Sequence, residues 1–307
     1  MKILVTGACG FLGSHVVEQA RLQGHEVIET AMYRPDGLTG WASESAHRGD
    51  IGDLFFIRPL IEQADIVINC AALVSVPYSY TMPGAYWRTN ATAVMSMLMC
   101  EPKRFVQIST SEVFDGKAPP YRDDSATCPI TPYGASKTAG EAVCRGYGAG
   151  VGTVVRVFNL YGPRQFPRAI IPLCIRQALE IQEGTREKAS LYGPIGSRAF
   201  LYAPDIAKHI LHIALNDNRP LVQLASMAVI KIADLWPMIA RAVGIDPELV
   251  EWSQPPGNAS PVANLFGVSS DGYPTQWPGF EDGLHGLAET VSWHRANRHY
   301  CSECAYQ

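Results

Sequence analysis

The sequence lacks the features that would place the protein in a membrane or on nucleic acid. Its 307 residues contain no apolar run long enough to cross a bilayer, so no membrane partner is expected. Basic residues are not in excess, because the formal net charge is -4, and nucleic acid is therefore not an expected partner. The N-terminus enters a glycine loop almost at once and leaves no room for a signal peptide, which predicts a cytoplasmic protein.

A disulfide or metal-binding framework is also missing. The 8 cysteines are scattered, and in a chain of this length they are interpreted as small buried side chains. The C-terminal end does carry two histidines and a Cys-x-x-Cys pair, namely His294, His299, Cys301 and Cys304. These side chains could hold zinc, but the segment has a single cysteine pair, and chain ends tend to be disordered. We therefore predict no metal site.

The first feature present is a glycine-rich turn directly after an apolar strand at residues 3–5. It precedes a helical pattern that runs from residue 14 to residue 23. Such a turn lets backbone amides approach a pyrophosphate, and the N-terminus of the helix adds a partial positive charge. The predicted dinucleotide contacts in this loop are Gly7, Gly10, Phe11, Leu12 and Gly13.

The second predicted strand, residues 26–30, leaves the choice of dinucleotide open. In folds that select NAD, an acidic residue usually ends this strand and bonds the ribose hydroxyls. Here Ala31 takes that position, and Glu29 lies two residues too early. Arg34 follows and could meet a 2'-phosphate, or it could be a solvated loop charge. We expect NAD or NADP, with NAD preferred.

Strands and helices continue to alternate along the first half of the chain. A third strand ends at Asp50 and Ile51, which could reach the adenine, and residues 65–69 form a fourth. Ala71 and Ala72 follow the fourth strand, and such small residues would let a cofactor lie close to the backbone. Strands separated by helices predict a doubly wound parallel sheet, in which ligands gather at the carboxyl ends of the strands.

A fifth predicted strand, residues 104–108, leads to Thr110 and then to a tyrosine and a lysine. Tyr133 and Lys137 sit four apart, so they share one face if this stretch is a helix, which we expect to begin at Pro132. A phenol is a poor base at neutral pH because its ordinary pKa is about 10, and a neighbouring ammonium would lower that pKa. The pair is a candidate device for moving a proton on and off an alcohol.

Four motifs, in this order along the chain, resemble a known family. They are Gly7-x-x-Gly10-x-x-Gly13, Ser109-Thr110, Tyr133-x-x-x-Lys137 and the run from Arg156 to Arg164. They are similar to the extended short-chain dehydrogenase/reductases, and among these to the NAD-dependent epimerase/dehydratase family acting on nucleotide sugars. The resemblance implies an α/β fold, with a Rossmann-type doubly wound parallel sheet and a smaller α/β substrate-binding C-terminal domain.

The resemblance also implies a division into domains and an assembly. The NAD(P)-binding domain would comprise residues 1–165, joined by about 199–225. The domain that binds the nucleotide sugar would comprise residues 166–198 and 226–307. Members often pair through helices corresponding to residues 84–100 and 132–147, so a homodimer is expected.

The roles implied by the resemblance centre on a sugar hydroxyl, usually the one at C4. Tyr133 would take its proton, Thr110 would hold the same hydroxyl, and Lys137 would lower the pKa of the tyrosine and bind the nicotinamide ribose. A tightly bound NAD or NADP would take the hydride and be recycled. The other expected cofactor contacts are Arg34, Asp50, Ile51, Ala71, Ala72 and Phe158. The expected substrate contacts are Val76, Ser79, Asn159, Tyr192 and Arg198, with the arginine on the pyrophosphate.

Thr110-Ser111-Glu112 bears on the subclass of reaction. Sugar 4,6-dehydratases generally carry Thr-Asp-Glu here, so Ser111 speaks against 4,6-dehydration. Thr-Ser-Glu resembles UDP-glucuronate decarboxylases, in which the residues corresponding to Glu112 and Arg198 are implicated. Residues 75–79, in contrast, look more like epimerases and other dehydratases. Ser111 and Glu112 are therefore both candidate catalytic residues.

The favoured interpretation is a UDP-sugar lyase, either decarboxylase-like or a dehydratase, that works through a keto intermediate. Three alternatives stay open. The first is a nucleotide-sugar 4-epimerase, and the second is an NADPH-dependent keto-sugar reductase, which the missing acid at Ala31 makes conceivable. The third is a non-catalytic dinucleotide-binding regulatory protein, against which the intact Thr110, Tyr133 and Lys137 argue.

The last third of the chain is less regular. Residues 255–278 are rich in Pro, Gly, Asn and Ser, which predicts a long surface segment. Residues 283–297 predict a closing helix, with Trp293 as its anchor.

Overall fold

A computed structural model describes residues 1–32, 44–192, 196–254, 262–276 and 284–298. Its strands are β1 (Lys2–Thr6), β2 (Glu26–Ala31), β3 (His47–Arg48), β4 (Ile66–Asn69), β5 (Phe105–Thr110), β6 (Gly152–Val157), β7 (Asn159–Tyr161), β8 (Ala189–Tyr192), β9 (Ser197–Tyr202), β10 (Leu221–Leu224), β11 (Val229–Lys231), β12 (Val250–Ser253) and β13 (Asn264–Leu265). Its α-helices are α1 (Phe11–Leu22), α2 (Leu54–Glu62), α3 (Val76–Thr81), α4 (Pro83–Trp87), α5 (Ala93–Leu98), α6 (Pro132–Tyr147), α7 (Ile170–Gln182), α8 (Ala203–Asn216), α9 (Ile232–Val243) and α10 (Leu287–Ala296).

The larger sheet has seven strands in the order β10-β6-β5-β4-β1-β2-β3, and every pairing in it is parallel. The order reverses between β1 and β4, and such a switch point opens a crevice for a ligand at the carboxyl ends of the strands. The sheet confirms the predicted doubly wound α/β fold.

Side chains alternate across this sheet and build one apolar cluster on each face. Ile3 and Val5 of β1 join the cluster with α1 and α8, whereas Leu4 joins the cluster with α2, α5 and α6. Both faces are buried, so the strands read as nearly continuous apolar runs in the sequence.

A third apolar cluster lies around Trp236 and joins α7, α9 and α10. Beside it, β9 pairs in parallel with β7 and β13 and antiparallel with β11, while β8 and β12 form a separate two-stranded sheet. Leu201 of β9 packs into the cluster of α1 and α8, and its neighbours Phe200 and Tyr202 pack into the cluster around Trp236. β9 therefore lies between the two parts, and the division into two domains stays a prediction.

The predicted surface segment at residues 255–278 is wrong for residues 262–270, whereas residues 271–276 are exposed or half-buried. Val262 and Leu265 are buried, and β13 pairs with β9. The backbone amides of Gly267 and Ser270 donate to the carbonyls of Ser226 and Gln223, at 3.2 and 2.9 Å. Irregular backbone can be buried in this way because its polar groups find partners in distant parts of the chain.

Two further expectations are corrected. Trp293 is only partly buried, and the residues that anchor α10 are Leu287, Thr290, Val291 and His294. The helix expected at residues 84–100 is interrupted by a π-helical turn, Arg88–Thr92, between α4 and α5. No helix in the described part of the chain is long and apolar enough to span a membrane.

Candidate active site

The glycine loop after β1 has the geometry that a dinucleotide requires. Gly7 has a φ of +64°, and a Cβ there would stand 2.8 Å from the Cα of Ala71. A Cβ on Gly13 would overlap the carbonyl oxygen of Gly7. Gly10 caps α1 without a side chain, so no side-chain cap covers the first amides of the helix. The loop fits a pyrophosphate placed at this N-terminus.

Six further predicted cofactor contacts, of which Asp50 and Ile51 were expected near the adenine, follow the carboxyl ends of β1, β3 and β4. Ala71 and Ala72 follow β4 and are partly exposed, as are Phe11 and Leu12. Asp50 is exposed and its carboxylate accepts the amide of Gly52 at 2.8 Å, whereas Ile51 is buried.

The acid position at the end of β2 is filled by Ala31, which is buried. Glu29 is buried as well and forms an ion pair with Arg21 of α1. Arg34, the predicted 2'-phosphate contact, lies outside the described residues. Phe158 is fully buried, and its ring lies 6.4 Å from that of Phe114, so the structure gives it a packing role. Its contact with a cofactor stays a prediction.

Thr110 and Tyr133 meet at the carboxyl end of β5. The side chain of Thr110 is close enough to Tyr133 to lower the pKa of the phenol as a hydrogen-bond partner, and the Thr110 hydroxyl accepts the amide of Glu112 at 3.2 Å. The helix α6 begins as predicted, because the Thr131 hydroxyl accepts the amide of Gly134 at 2.9 Å. Tyr133 is 7% exposed. The expected hydroxyl pair is therefore assembled in a buried setting.

Lys137 lies one helical turn further along α6 and is 4% exposed. Its ammonium donates to the carbonyl of Ile108 on β5 at 2.6 Å. Burial lowers the pKa of Lys137 to about 8, and the carboxylate of Glu141 acts against that shift.

The net shift of the Tyr133 pKa is opposite to the one expected, while the effect of Lys137 on that pKa stays a prediction. Burial raises the pKa of Tyr133, and nearby Glu112 raises it further, whereas the hydrogen bond from Thr110 acts in the opposite direction. Burial outweighs the other influences because it removes the water that would stabilise a phenolate. At rest the phenol is therefore protonated.

Glu112 connects the hydroxyl pair to the predicted pyrophosphate arginine. Its charge acts on Tyr133 and also raises the pKa of Arg198, which burial lowers. A Cβ on Gly134 would overlap the carbonyl oxygen of Glu112, so α6 packs directly against this backbone. Ser111, between Thr110 and Glu112, is buried.

Three of the predicted substrate contacts lie on β7, β8 and β9. Arg198 on β9 donates to the carbonyls of Val262 and Ala263, and Asn159 on β7 has a buried amide nitrogen without a partner among the described residues. Tyr192 is exposed at the end of β8.

The other two predicted substrate contacts lie in α3. Val76 is partly exposed at the start of the helix, and the buried Ser79 hydroxyl donates to the carbonyl of Val76 at 2.6 Å. All of these substrate contacts stay predictions.

Histidine, cysteine and carboxylate side chains form no cluster of three or more that could hold a metal ion in the part of the chain that the structure describes. Three residues of the considered zinc pattern, His299, Cys301 and Cys304, lie outside that part.

Comparison with known proteins identifies this arrangement. Residues 3–223 match the model of the NAD dependent epimerase/dehydratase family. The chain belongs to this family. The predictions of the family and of a nicotinamide dinucleotide cofactor are therefore confirmed.

Individual members of the epimerase/dehydratase family match along nearly the whole chain. A dTDP-glucose 4,6-dehydratase from Streptomyces antibioticus is 30% identical over 97% of this chain and 93% of its own. The crystal structure of a dTDP-glucose 4,6-dehydratase from Streptomyces venezuelae with NAD bound has a TM-score of 0.81 at 24% identity and covers 98% of both chains. A UDP-glucose 4-epimerase from Thermotoga maritima, with UDP-glucose, has a TM-score of 0.82 at 24% identity over 97% of this chain and 100% of its own.

In this epimerase/dehydratase, the sequence analysis missed Asn90. It lies in the π-helical turn and is buried. Its amide nitrogen donates to the carbonyl of Leu73 at 2.9 Å and to the hydroxyl of Ser136 at 3.0 Å, and Ser136 donates to the carbonyl of Tyr133 at 2.7 Å. The sequence offered one signal for this residue, which is an asparagine inside an otherwise apolar helical pattern. Such an interruption can mark a π-helical turn, and these turns are frequent at functional sites.

Tyr86 of α4 was missed as well. Its ring meets that of Tyr133 edge-on at 6.3 Å, and its hydroxyl donates to the carbonyl of Ser75 at 2.6 Å. The ring covers one side of Tyr133 and helps to exclude water from it.

Proposed function

We propose that the protein is an NAD-dependent dehydratase of a nucleotide-activated hexose. It oxidises the C4 hydroxyl to a ketone, eliminates water from the sugar and recycles its cofactor. The observation that carries the proposal is the buried Tyr133 beside Thr110, with Glu112 close enough to influence Tyr133 and Arg198. The relative that is 30% identical over nearly the whole chain is a dTDP-glucose 4,6-dehydratase.

Three residues of the site have separate roles in moving the proton during the oxidation. Thr110 holds the sugar hydroxyl, and Tyr133 takes its proton. Burial keeps the phenol protonated at rest, so Tyr133 must first lose its proton to water, and in the proposal the positive charge of Lys137 favours that loss. NAD, when bound, would accept the hydride from C4 and would give a hydride back in the later reduction.

Glu112 serves the step that follows. A ketone at C4 makes the proton on C5 acidic, and Glu112 is the carboxylate that can remove it. The hydroxyl on C6 then departs as water once it has received a proton. In this chain Ser111 stands where a carboxylic acid usually supplies a proton, so Glu112 alone would take the proton from C5 and give it to the departing hydroxyl. The hydride would then return to C6 of the resulting double bond, and C5 would regain a proton in place of the one that Tyr133 took.

Ser111 favours a second candidate, a nucleotide-sugar 4-epimerase. Epimerisation needs oxidation and reduction at C4 but no acid that expels water, so a serine suffices beside Thr110. The named relatives are dehydratases and an epimerase. A decarboxylase, which the sequence analysis favoured, is supported only by the Thr-Ser-Glu pattern.

Product analysis without added cofactor separates these reactions. The purified protein meets dTDP-glucose, UDP-glucuronate and UDP-N-acetylglucosamine separately, and Tyr133→Phe is the control. Loss of water supports the dehydratase, and loss of carbon dioxide from UDP-glucuronate would establish the decarboxylase instead. Unchanged mass with a new sugar isomer in the NMR spectrum would establish the epimerase.

The two remaining alternatives are tested by a second incubation, with a keto sugar and added NADPH, beside the first. Turnover of a keto sugar only when NADPH is added would show a net reductase. A non-catalytic regulatory protein would leave every sugar unchanged, and Tyr133→Phe would then behave like the parent protein.

The proposal includes a homodimer in the cytoplasm. Trp87 of α4, Met99 after α5 and Tyr147 of α6 expose large apolar side chains on the helices expected to pair. Light scattering would show a mass near twice that of one chain, and a Trp87→Glu variant would shift it towards the monomer. A monomeric parent protein would exclude this assembly.

A further inference from the structure

Glu141 is a fully buried carboxylate that the proposed chemistry does not use. It lies on α6 one turn beyond Lys137, on the face that also carries Tyr133. A buried carboxylate is costly unless donors satisfy it. Its donors show what the residue is attached to.

Three groups hold the Glu141 carboxylate from three different directions. Arg156 of β6, itself 2% exposed, donates two hydrogen bonds, from Nε to Oε1 at 2.9 Å and from Nη2 to Oε2 at 2.8 Å. The buried Ser109 hydroxyl donates to Oε1 at 2.6 Å. Arg145 of the next helical turn approaches Oε2 at 3.5 Å from the solvent side. The two-pronged arginine contact fixes the orientation of the carboxylate as well as its position.

These bonds join α6 to the strand that ends in Thr110. Ser109 directly precedes Thr110 on β5, and its register partner on β6 is Arg156. One residue earlier, the carbonyl of Ile108 accepts the ammonium of Lys137 at 2.6 Å. Successive residues of β5 are therefore tied to Lys137, to Glu141 and, through Thr110, to Tyr133.

Arg156 is further restrained on its outer side. Its Nη1 donates to the carbonyl of Asp123 at 3.2 Å, and its guanidinium lies 5.3 Å from the centre of the Phe114 ring. Buried ion pairs of this kind are weak evidence for stability, because desolvation offsets most of the attraction. Fixing one element against another is the role that the geometry supports.

The charge of Glu141 also acts directly on the pKa of Lys137. The carboxylate raises the pKa of Lys137 against the larger, opposing effect of burial, and the thiol of Cys70 acts in the same direction as Glu141. This influence adds to the mechanical connection through β5.

We propose that Glu141, held by Arg156 and Ser109, is a positioning residue that fixes the Tyr133 and Lys137 face of α6 against the end of β5. The inference rests on the proposed function, because the hydroxyl that needs positioning is that of the nucleotide sugar. Glu141 touches neither substrate nor cofactor, and it acts through Lys137 and Thr110.

Turnover of the nucleotide sugar by holoenzyme variants tests the proposal. Glu141→Gln keeps the size of the side chain and removes its charge, which leaves Arg156 buried and unpaired. We expect kcat to fall roughly 10- to 100-fold, because small displacements of catalytic groups have effects of that order, while KM stays within about threefold. Melting temperature is measured in parallel.

Two further variants separate positioning from stability. Asp217→Asn weakens the contacts of Asp217 with Arg219 and Tyr273 ahead of β10, at the opposite end of the sheet. It should lower the melting temperature with little change in kcat. Adding Arg156→Gln to Glu141→Gln removes the unpaired charge and should restore stability, but not kcat. If kcat recovers together with the melting temperature, Glu141 is only structural and the proposal is overturned.

Hydrogen exchange provides a readout that needs no substrate. Relative to Asp217→Asn, Glu141→Gln should speed exchange selectively in residues 105–112 and 132–140. Equal exchange in the two variants would overturn the inference whatever the parent enzyme turns over. A parent protein that converts no nucleotide sugar but shows the selective change would refute the proposed function and leave the coupling of α6 to β5 supported.

Discussion

Gly13 shows how much of the cofactor site depends on one absent side chain. A Cβ there would overlap the carbonyl of Gly7, and neither backbone can move without displacing the turn between β1 and α1. Gly13→Ala should therefore abolish retention of NAD through purification. The NAD released by heat and measured by chromatography gives the occupancy.

Gly146→Ala is the matched control for this glycine. It lies in α6, and a Cβ there would meet nothing within 4 Å. NAD content should be unchanged, and stability should be equal or higher by about 0.5–1 kcal/mol, because alanine favours the helix. Full NAD occupancy in Gly13→Ala would show that the loop does not hold the pyrophosphate.

Lys137 is expected to lower the stability of the protein that it serves. Its pKa falls from 10.5 in the unfolded chain to about 8 in the folded protein. Between these values the unfolded state binds more protons, so stability rises with pH across this window and the full penalty is present below pH about 8. Lys137→Met should be more stable than the parent protein at pH 7, by on the order of 1–3 kcal/mol.

Urea unfolding at pH 7 and at pH 10 measures the effect of Lys137→Met. The advantage of the variant should shrink at the higher pH, since the parent lysine is then neutral when folded. An advantage that is the same at both pH values, or a variant less stable at pH 7, would contradict the assignment. Turnover should be lost in either case.

The spacing of Tyr133 and Lys137 could be read from the sequence, but their pKa values could not. A four-residue interval is enough to place both on one helical face. The direction of the Tyr133 shift depends on burial by Tyr86 and other residues far along the chain, which the interval does not reveal. Glu141 was missed for the same reason, because a glutamate on a helix ordinarily faces solvent.

At the scale of elements, α6 is held close to the π-helical turn by another glycine. A Cβ on Gly140 would overlap the carbonyl oxygen of Asn90, whose side chain orders Leu73 and Ser136. Gly140→Ala should cost about 1–3 kcal/mol in the free energy of unfolding through overpacking. It should also reduce kcat, since Ser136 bonds the backbone of Tyr133.

Denaturant unfolding and steady-state kinetics check this expectation for Gly140→Ala. Gly146→Ala again serves as control, because it adds the same methyl group to the same helix at an open position. If both variants behave alike, the close approach of α6 to the π-helical turn has no energetic consequence.

The elements that could be predicted are those whose signals are local. The strands of the parallel sheet are short apolar runs buried on both faces, and Thr131-Pro132 is a local helix start. Residues 262–270 carry Gly and Ser as a surface loop would, yet most of them are buried or half-buried through bonds to β9, Tyr121 and Gln223. Those partners are distant in sequence, so periodicity could not reveal the burial.

For the whole molecule, the closing helix α10 makes stability sensitive to acid. His294 is buried against the cluster around Trp236, and burial lowers its pKa from 6.5 to about 4, with Arg298 acting in the same direction. Between these values the unfolded chain takes up a proton that the folded protein excludes. Stability is therefore lost as the pH falls from 6.5 towards 4, by up to about 3 kcal/mol.

Burial lowers the pKa of His15 too, so His15 also contributes to the loss of stability in acid. The variant His294→Leu removes the contribution of His294 alone and leaves that of His15 unchanged. Urea midpoints measured at intervals from pH 7 to pH 4 should fall less steeply for the variant than for the parent protein. Parallel curves would show that protonation of His294 does not lower the stability of the folded protein. A steeper parent curve would show that protonation of His294, on the helix that packs against α7 and α9, accounts for part of the acid sensitivity of the whole protein.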